Sequence, residues 1–177
     1  MQSYFKREYY EEAKAQRKKM FLVLFTIIGI YLLISAGLFI WYTTLTYKSP
    51  TINLVKAIEY IVSAIFVFVM VVFMGIKFKR VNKFYIKCTE ILTGLTEENF
   101  GSFIECDNSL HTKDGVDFKS LMFLEHNKNK QNFFERTVLV FYEKPLPDFK
   151  EGQNVKYITQ GNVLKSYEIV EDEEGEK

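Results

Sequence analysis

Histidine and cysteine are scarce in this chain, with two of each among 177 residues. A zinc site needs several convergent ligands, and neither His111 nor His126 has a second ligand at a repeating spacing. Cys88 and Cys106 are expected to be free thiols in a reducing compartment, with a regulatory disulfide as the alternative. No glycine-rich phosphate loop, EF-hand pattern or nucleophile triad occurs. We therefore predict no metal, no cofactor, no small-molecule substrate and no enzymatic activity.

Charge is absent from residues 20–47, and this absence dominates the sequence. The run is longer than the roughly 20 apolar residues that a helix needs to cross a bilayer. A second apolar run covers residues 57–76. A signal peptide is excluded as an interpretation of the first run, because its apolar core would span only about 7–15 residues. The sequence predicts a transmembrane hairpin over residues 20–78, with spans at about 20–42 and 57–78.

Basic residues flank the two predicted spans, while the loop over residues 43–56 offers only Lys48 and Lys56. Because positive charge accumulates on the cytoplasmic side, both termini are predicted to be cytoplasmic. Interfacial aromatic residues are expected where the first span leaves the hydrocarbon. The predicted membrane-interface residues are Arg17, Lys18, Lys19, Trp41, Tyr42, Lys77, Lys79 and Arg80.

One acidic residue, Glu59, lies inside the second apolar run. An ionisable side chain within a membrane span is a candidate functional residue by default. Glu59 is close to the outer end of its span, and Lys56 precedes it by three residues. We therefore expect it to reach interfacial water, and we keep it as a candidate functional residue.

The first 19 residues have a stripe of Phe5, Tyr9 and Ala13 at a spacing of four. Ser3 is a suitable N-cap for a helix that carries this stripe. A stripe of this kind beside a membrane span is typical of an interfacial helix with tyrosines at headgroup level. Residues 1–19 are therefore predicted to form an N-terminal interfacial helix on the bilayer.

The second half of the chain changes both charge and periodicity. Residues 1–83 contain 12 Lys/Arg against 4 Asp/Glu, and residues 84–177 contain 11 against 18. Alternating apolar residues and the turn pairs Asp114-Gly115 and Gly161-Asn162 predict short strands joined by hairpins. Residues 137–142 form a continuous apolar run, typical of a strand buried on both faces.

These signals predict an α+β membrane protein in which residues 84–170 form a cytoplasmic antiparallel β-barrel, OB-like or SH3-like, with a sandwich as the alternative. Residues 78–93 fit two patterns, because their apolar positions satisfy both a strand and a continuation of the second span as a helix. Gly94 would then end the helix. The acidic tail over residues 171–177 is predicted to be disordered.

The acidic charge of residues 84–177 argues against nucleic acid as a partner. The bias towards Phe, Tyr, Ile, Lys and Asn suggests an AT-rich bacterial genome. The sequence thus predicts a multi-pass protein of a bacterial plasma membrane whose barrel is a non-enzymatic interaction or regulatory module. Its partners would be the lipid bilayer and either another protein or a second copy. The alternative is a homo-oligomeric pore or transport component. In layout alone, a membrane anchor with a small cytoplasmic barrel resembles NfeD-like membrane proteins.

Overall fold

The computed structural model describes residues 1–46, 49–127 and 132–170. It divides into two compact units, one made of residues 14–82 and the other of residues 1–13 together with the chain from residue 83 onward. We refer to the first unit as the hairpin and to the second as the domain. The predicted acidic tail over residues 171–177 and Lys48 of the predicted loop lie outside the described residues.

The secondary structure contains long helices in the first half of the chain and strands in the second. The helical elements are α1 (Arg7–Thr44), α2 (Thr51–Val72), a π-helical turn (Phe73–Phe78) and α3 (Lys79–Thr93). The strands are β1 (Gln2–Ser3), β2 (Glu97–Lys113), β3 (Val116–Asn127), β4 (Asn132–Phe141), β5 (Asn154–Gln160) and β6 (Val163–Ile169).

The hairpin contains two helices that are long and apolar enough to cross a membrane, as the sequence predicts. Their most apolar stretches are almost wholly unburied by the protein itself. Aromatic pairs join the helices, since the rings of Tyr31 and Phe66 stack at 4.1 Å and those of Phe21 and Phe78 meet edge to face at 5.1 Å. The π-helical turn lies between α2 and α3, so the second helix continues without a break to Thr93.

The strands of the domain close into a five-stranded barrel. Around the barrel they follow the order β2-β3-β4-β6-β5, and β5 pairs with both β2 and β6. The pairing of β4 with β6 is parallel and the other four pairings are antiparallel. This strand order, with its one parallel pair, is that of an OB-type Greek-key barrel. The predicted small barrel is confirmed, and the closing pairs exclude the alternative sandwich.

Two apolar clusters stabilise the domain, and both include residues of β4. The interior cluster includes Phe123, Val138, Val140 and Tyr157. The second cluster contains Leu139 and Phe141 of β4, which alternate with Val138 and Val140 and therefore point to the outer face. The prediction that this strand is buried on both faces is confirmed, because residues 138–141 are all buried.

The outer cluster is covered by two segments from distant parts of the chain. The segments contribute Phe5, Tyr9 and Ala13 before the hairpin and Cys88 and Ile91 after it. The predicted stripe of Phe5, Tyr9 and Ala13 exists, but its surroundings differ from the prediction. These side chains are buried in the domain, because the strands supply an apolar face that the stripe covers, and they are not available to lie among lipid headgroups. Helix α1 also begins at Arg7, so Ser3 is in β1 and is not an N-cap.

Residues 79–93 are helical, which decides between the two patterns that the sequence left open. The predicted first strand at residue 84 is therefore wrong, and the barrel begins at Glu97. Cys88 and Ile91 lie about one turn apart on the face of α3 that contacts the barrel. Both predicted hairpin turns are confirmed, since Asp114, Gly115, Gly161 and Asn162 all have positive φ values.

Candidate functional site

The predicted membrane-interface residues are distributed along the two hairpin helices. The exposed basic side chains among them are Lys18, Lys19, Lys77, Lys79 and Arg80. The Arg17 guanidinium carbon lies 5.6 Å from the ring centre of Phe21. Trp41 and Tyr42 are about two-fifths exposed at the far end of α1, and the Lys56 Nζ lies 6.0 Å from the Tyr42 ring centre. These positions mark the two ends of an apolar zone.

Glu59 points toward the first helix of the hairpin. The Ser35 hydroxyl donates a hydrogen bond of 2.6 Å to Glu59 Oε1. The second carboxyl oxygen, Oε2, is buried and has no hydrogen-bond partner among the described residues. Ser35 precedes Trp41 by six residues, which is roughly 9 Å of helix. The carboxyl group thus lies about two turns inside the aromatic end of α1, and it contacts the neighbouring helix, which the sequence did not predict.

A second polar contact lies one turn further from the aromatic end. The Tyr31 and Ser63 hydroxyls are 3.2 Å apart, and Tyr31 and Ser35 are four residues apart on α1 just as Glu59 and Ser63 are on α2. Residues four apart occupy the same face of a helix, so each helix presents two oxygen-bearing side chains to the other. We call these four residues, Tyr31, Ser35, Glu59 and Ser63, the oxygen ladder.

The interior of the barrel contains a polar group of its own. The Tyr157 hydroxyl donates a hydrogen bond to the carboxylate of Glu125, and both residues are buried. Arg136 lies beside them, with its Nε 3.8 Å from Glu125 Oε1. Its two terminal nitrogens donate to Asn99 at 3.0 Å and to Glu97 at 2.7 Å.

The pKa values of this interior group are set by burial and by contacts within the group. Burial and the hydrogen bond to Glu125 raise the pKa of the Tyr157 hydroxyl. Burial alone would lower the pKa of Arg136, but its hydrogen bond to Glu97 and the charge of Glu125 outweigh that effect and raise it. Because the guanidinium is already engaged by Asn99, Glu97 and Glu125, it has little capacity to bind an external anion. The network stabilises one end of the barrel.

Asp107, Ser109 and His111 form an exposed polar group on β2. The His111 Nε2 lies 3.0 Å from Asp107 and 2.9 Å from the Ser109 hydroxyl. A catalytic triad requires one imidazole nitrogen for the carboxylate and the other for the nucleophile. Here a single nitrogen makes both contacts, and the Ser109 hydroxyl also donates to Asp107 at 2.7 Å. Hydrogen bonds from Ser109 and His111 lower the pKa of Asp107 to about 2. The group lies at a register shift in the pairing of β2 with β3, between Asp107 and His111.

Three aromatic side chains are exposed on adjacent strands at one end of the barrel. Phe100 and Phe133 are 55% and 66% exposed. His126 pairs with Phe133, and their ring centres are 5.2 Å apart. Gly101 pairs with Glu125, so the neighbouring Phe100 and His126 share the opposite, outward face. We call Phe100, His126 and Phe133 the aromatic strip.

Sequence reasoning found Glu59 but missed the other members of the oxygen ladder and the aromatic strip. The i, i+4 spacing of Tyr31 with Ser35 and of Glu59 with Ser63 was a usable signal, because it places each pair on one helix face. The strip depends on register between three strands, which no local pattern reveals.

Within the described ranges, no group of three or more His, Cys, Asp or Glu side chains could hold a metal ion. Comparisons with family models, curated proteins and solved structures gave no match to the chain.

Proposed function

We propose that the chain is a small integral membrane protein of a bacterial plasma membrane, with its domain on the cytoplasmic side. The domain would act as a non-enzymatic interaction or regulatory module. Two helices of sufficient length and apolarity support the membrane anchor. The basic flanks of the hairpin support a cytoplasmic location of both ends.

The domain is formed by chain segments from before and after the hairpin, and this supports the same topology independently of charge. Phe5, Tyr9 and Ala13 precede the first helix of the hairpin, yet they are buried against strands that follow the second. A chain that crosses the bilayer twice brings both flanks to the same side, and only then can these segments fold into one domain. A single crossing would separate the segments and expose both apolar surfaces to water.

The aromatic strip is the observation that carries the proposed interaction. Exposed aromatic residues on adjacent strands are enriched at binding surfaces, since they bury a large area at a small entropic cost. The strip is also located away from the outer cluster that α3 and residues 5–13 cover. It therefore remains available when the domain is fully folded.

The test is the size of the native complex, measured after purification from the membrane in a mild detergent. The double variant Phe100→Ser with Phe133→Ser should reduce the mass to that of the single chain. Leu110→Ser is the matched control, because Leu110 is 56% exposed on a different part of β2. A wild-type protein that is already a single chain, or a complex that survives the double variant, would contradict the proposal.

Topology requires a separate measurement. With Cys88 and Cys106 replaced by serine, single cysteines at Ser49 and Ser109 can be probed with a membrane-impermeant maleimide. We expect labelling of residue 49 from outside intact cells and labelling of residue 109 only after lysis. External labelling of residue 109 would contradict a cytoplasmic domain.

The alternative function, a homo-oligomeric pore or transport component, is favoured by one observation. Glu59 is the only acidic residue of the hairpin beyond Lys14, and one of its oxygens is buried without a described partner. Polar groups of this kind within membrane spans often mark ion pathways. Ion flux across liposomes that contain the wild-type chain, abolished by Glu59→Gln, would favour the pore over the interaction module.

A further inference from the structure

The carboxyl group of Glu59 lacks a side-chain counter-charge in the described structure. Helix α1 faces it with hydroxyl groups, and residues 20–44 of that helix contain no Asp, Glu, Lys, Arg or His. On its own helix the nearest charged group is Lys56, whose Nζ lies over the Tyr42 ring, and Tyr60 is largely exposed. Lys48 lies outside the described residues. An ionised carboxylate at this depth needs a positive partner, because hydrocarbon cannot solvate it.

Access to the free oxygen is restricted to small species. Glu59 Oε2 is buried within the hairpin although nothing described bonds to it. A lysine or arginine from a neighbouring protein would have to displace hairpin side chains to reach this oxygen, which has no accessible surface although the Glu59 side chain as a whole is half-buried. A proton or a small inorganic cation requires no such separation.

The side-chain contacts described at Glu59 and one turn away from it are made by oxygen atoms. Ser35 contacts the carboxyl group directly, and the Tyr31 and Ser63 hydroxyls lie one turn away. Carboxylate and hydroxyl oxygens favour hard cations and disfavour soft ones, because sulfur and imidazole ligands are missing. The arrangement on two facing helices also allows ligands from both helices to converge.

We propose that the oxygen ladder is an intramembrane binding site for a hard monovalent cation, either a proton or a sodium ion. Glu59 supplies the charge, and the Ser35 hydroxyl orients its carboxyl group. This inference rests on the proposed insertion of the hairpin into a bilayer. It is independent of the aromatic strip and of any partner protein.

The test uses the full chain in liposomes and the apolar reagent dicyclohexylcarbodiimide, which modifies carboxyl groups in their protonated form. The liposomes are first washed with alkaline carbonate, which removes chains that are not inserted. Modification of Glu59 is then measured by peptide mass spectrometry over a pH series, with sodium chloride or potassium chloride at equal ionic strength.

Modification of Glu59 should persist at pH 7, where a carboxyl group in water is almost wholly ionised, if the site binds a proton. It should fall with sodium but not with potassium, at constant pH, if the site binds a sodium ion. Ser35→Ala should change the proton or sodium concentration at which modification is half-maximal by about threefold. This is the size expected for one interhelical hydrogen bond in a membrane. Thr26→Ala is the control, because the Thr26 hydroxyl donates a hydrogen bond to the Leu22 carbonyl of its own helix. Glu59→Asp retains the carboxyl group and separates loss of the site from misfolding.

A washed chain in which Glu59 is unmodified at pH 7 in both salts would overturn the cation site. Release of the chain by the wash would overturn membrane insertion and the site together. The two failures are therefore distinguished before any reagent is added.

Discussion

The hairpin and the domain differ in the kind of side chain that they bury. In the domain, aromatic residues such as Phe118 and Phe123 are completely buried. In the hairpin, Phe25 and Phe39 are each 67% exposed, and the hydroxyl and carboxyl groups of the oxygen ladder lie between the helices. A water-soluble unit gains stability by hiding apolar surface, whereas helices in lipid gain none from doing so. The contrast is the one that the proposed insertion of the hairpin into a bilayer requires.

The largest expected effect compares one phenylalanine from each region. Phe123→Ala should lower the free energy of unfolding of the domain by about 3–5 kcal/mol, because it leaves a cavity among three aromatic rings. Phe39→Ala should change it by less than about 0.5 kcal/mol. Denaturant unfolding of the full chain in detergent, followed by circular dichroism, measures both. Equal losses would mean that the hairpin also relies on burial.

The second prediction concerns the segment before α1. Phe5 is buried against Tyr9 and Phe141, so Phe5→Ala should destabilise the domain by about 3 kcal/mol. Arg7→Ala is the control, because Arg7 is exposed. The same unfolding experiment applies. Unchanged stability with weakened membrane attachment would restore the interfacial helix that the sequence predicted.

A third pair of variants removes one hydroxyl from the polar group inside the barrel and one from the oxygen ladder. Tyr157→Phe should cost about 1–3 kcal/mol, since it leaves the buried carboxylate of Glu125 without its donor. Tyr31→Phe should cost about 0.6 kcal/mol, the average for interhelical bonds within membranes. Unfolding in denaturant reports the first and thermal aggregation in detergent the second. A larger loss of stability from Tyr31→Phe than from Tyr157→Phe would contradict the prediction.

The smallest expected effect concerns the order in which the two cysteine thiols react. Burial raises the pKa of the Cys88 thiol to about 12. At pH 8 only about one Cys88 thiol in ten thousand is then a thiolate. A raised pKa favours the folded state fully below the ordinary thiol value of 9.0, and this contribution disappears as the pH rises from there towards 12. A maleimide at pH 8 should therefore modify the half-buried Cys106 first, and early modification of Cys88 would show that α3 leaves the barrel.

Sequence reasoning succeeded where a pattern has one physical interpretation. Length without charge identified both apolar helices, and Asp114-Gly115 identified a turn because positive φ restricts the choice of residue. It misplaced Phe5 and Tyr9 because a stripe of this spacing covers lipid or a protein surface equally well. Nothing near residue 5 reveals that the matching surface is built from β3, β4 and β6.

The errors at α3 and in the oxygen ladder have related causes. Phe84, Cys88 and Leu92 are four residues apart, a spacing that satisfies both a helical face and one face of a strand. Ser35 and Ser63 carry no signal individually, since hydroxyl residues are common in apolar helices. Their pairing depends on the register of α1 against α2, which is a property of the folded hairpin.

The burial of Tyr4, Phe5, Tyr9 and Ala13 in a domain whose last strand ends at Ile169 also sets an order of events during synthesis. Bacterial or eukaryotic ribosomes add roughly 5–20 residues per second, so the first residues wait about 8–30 s for the strands that bury them. Both hairpin helices emerge during that interval. The domain therefore becomes complete only after both hairpin helices have been synthesised, and an unfinished domain leaves Phe5 and Tyr9 without the strands that bury them.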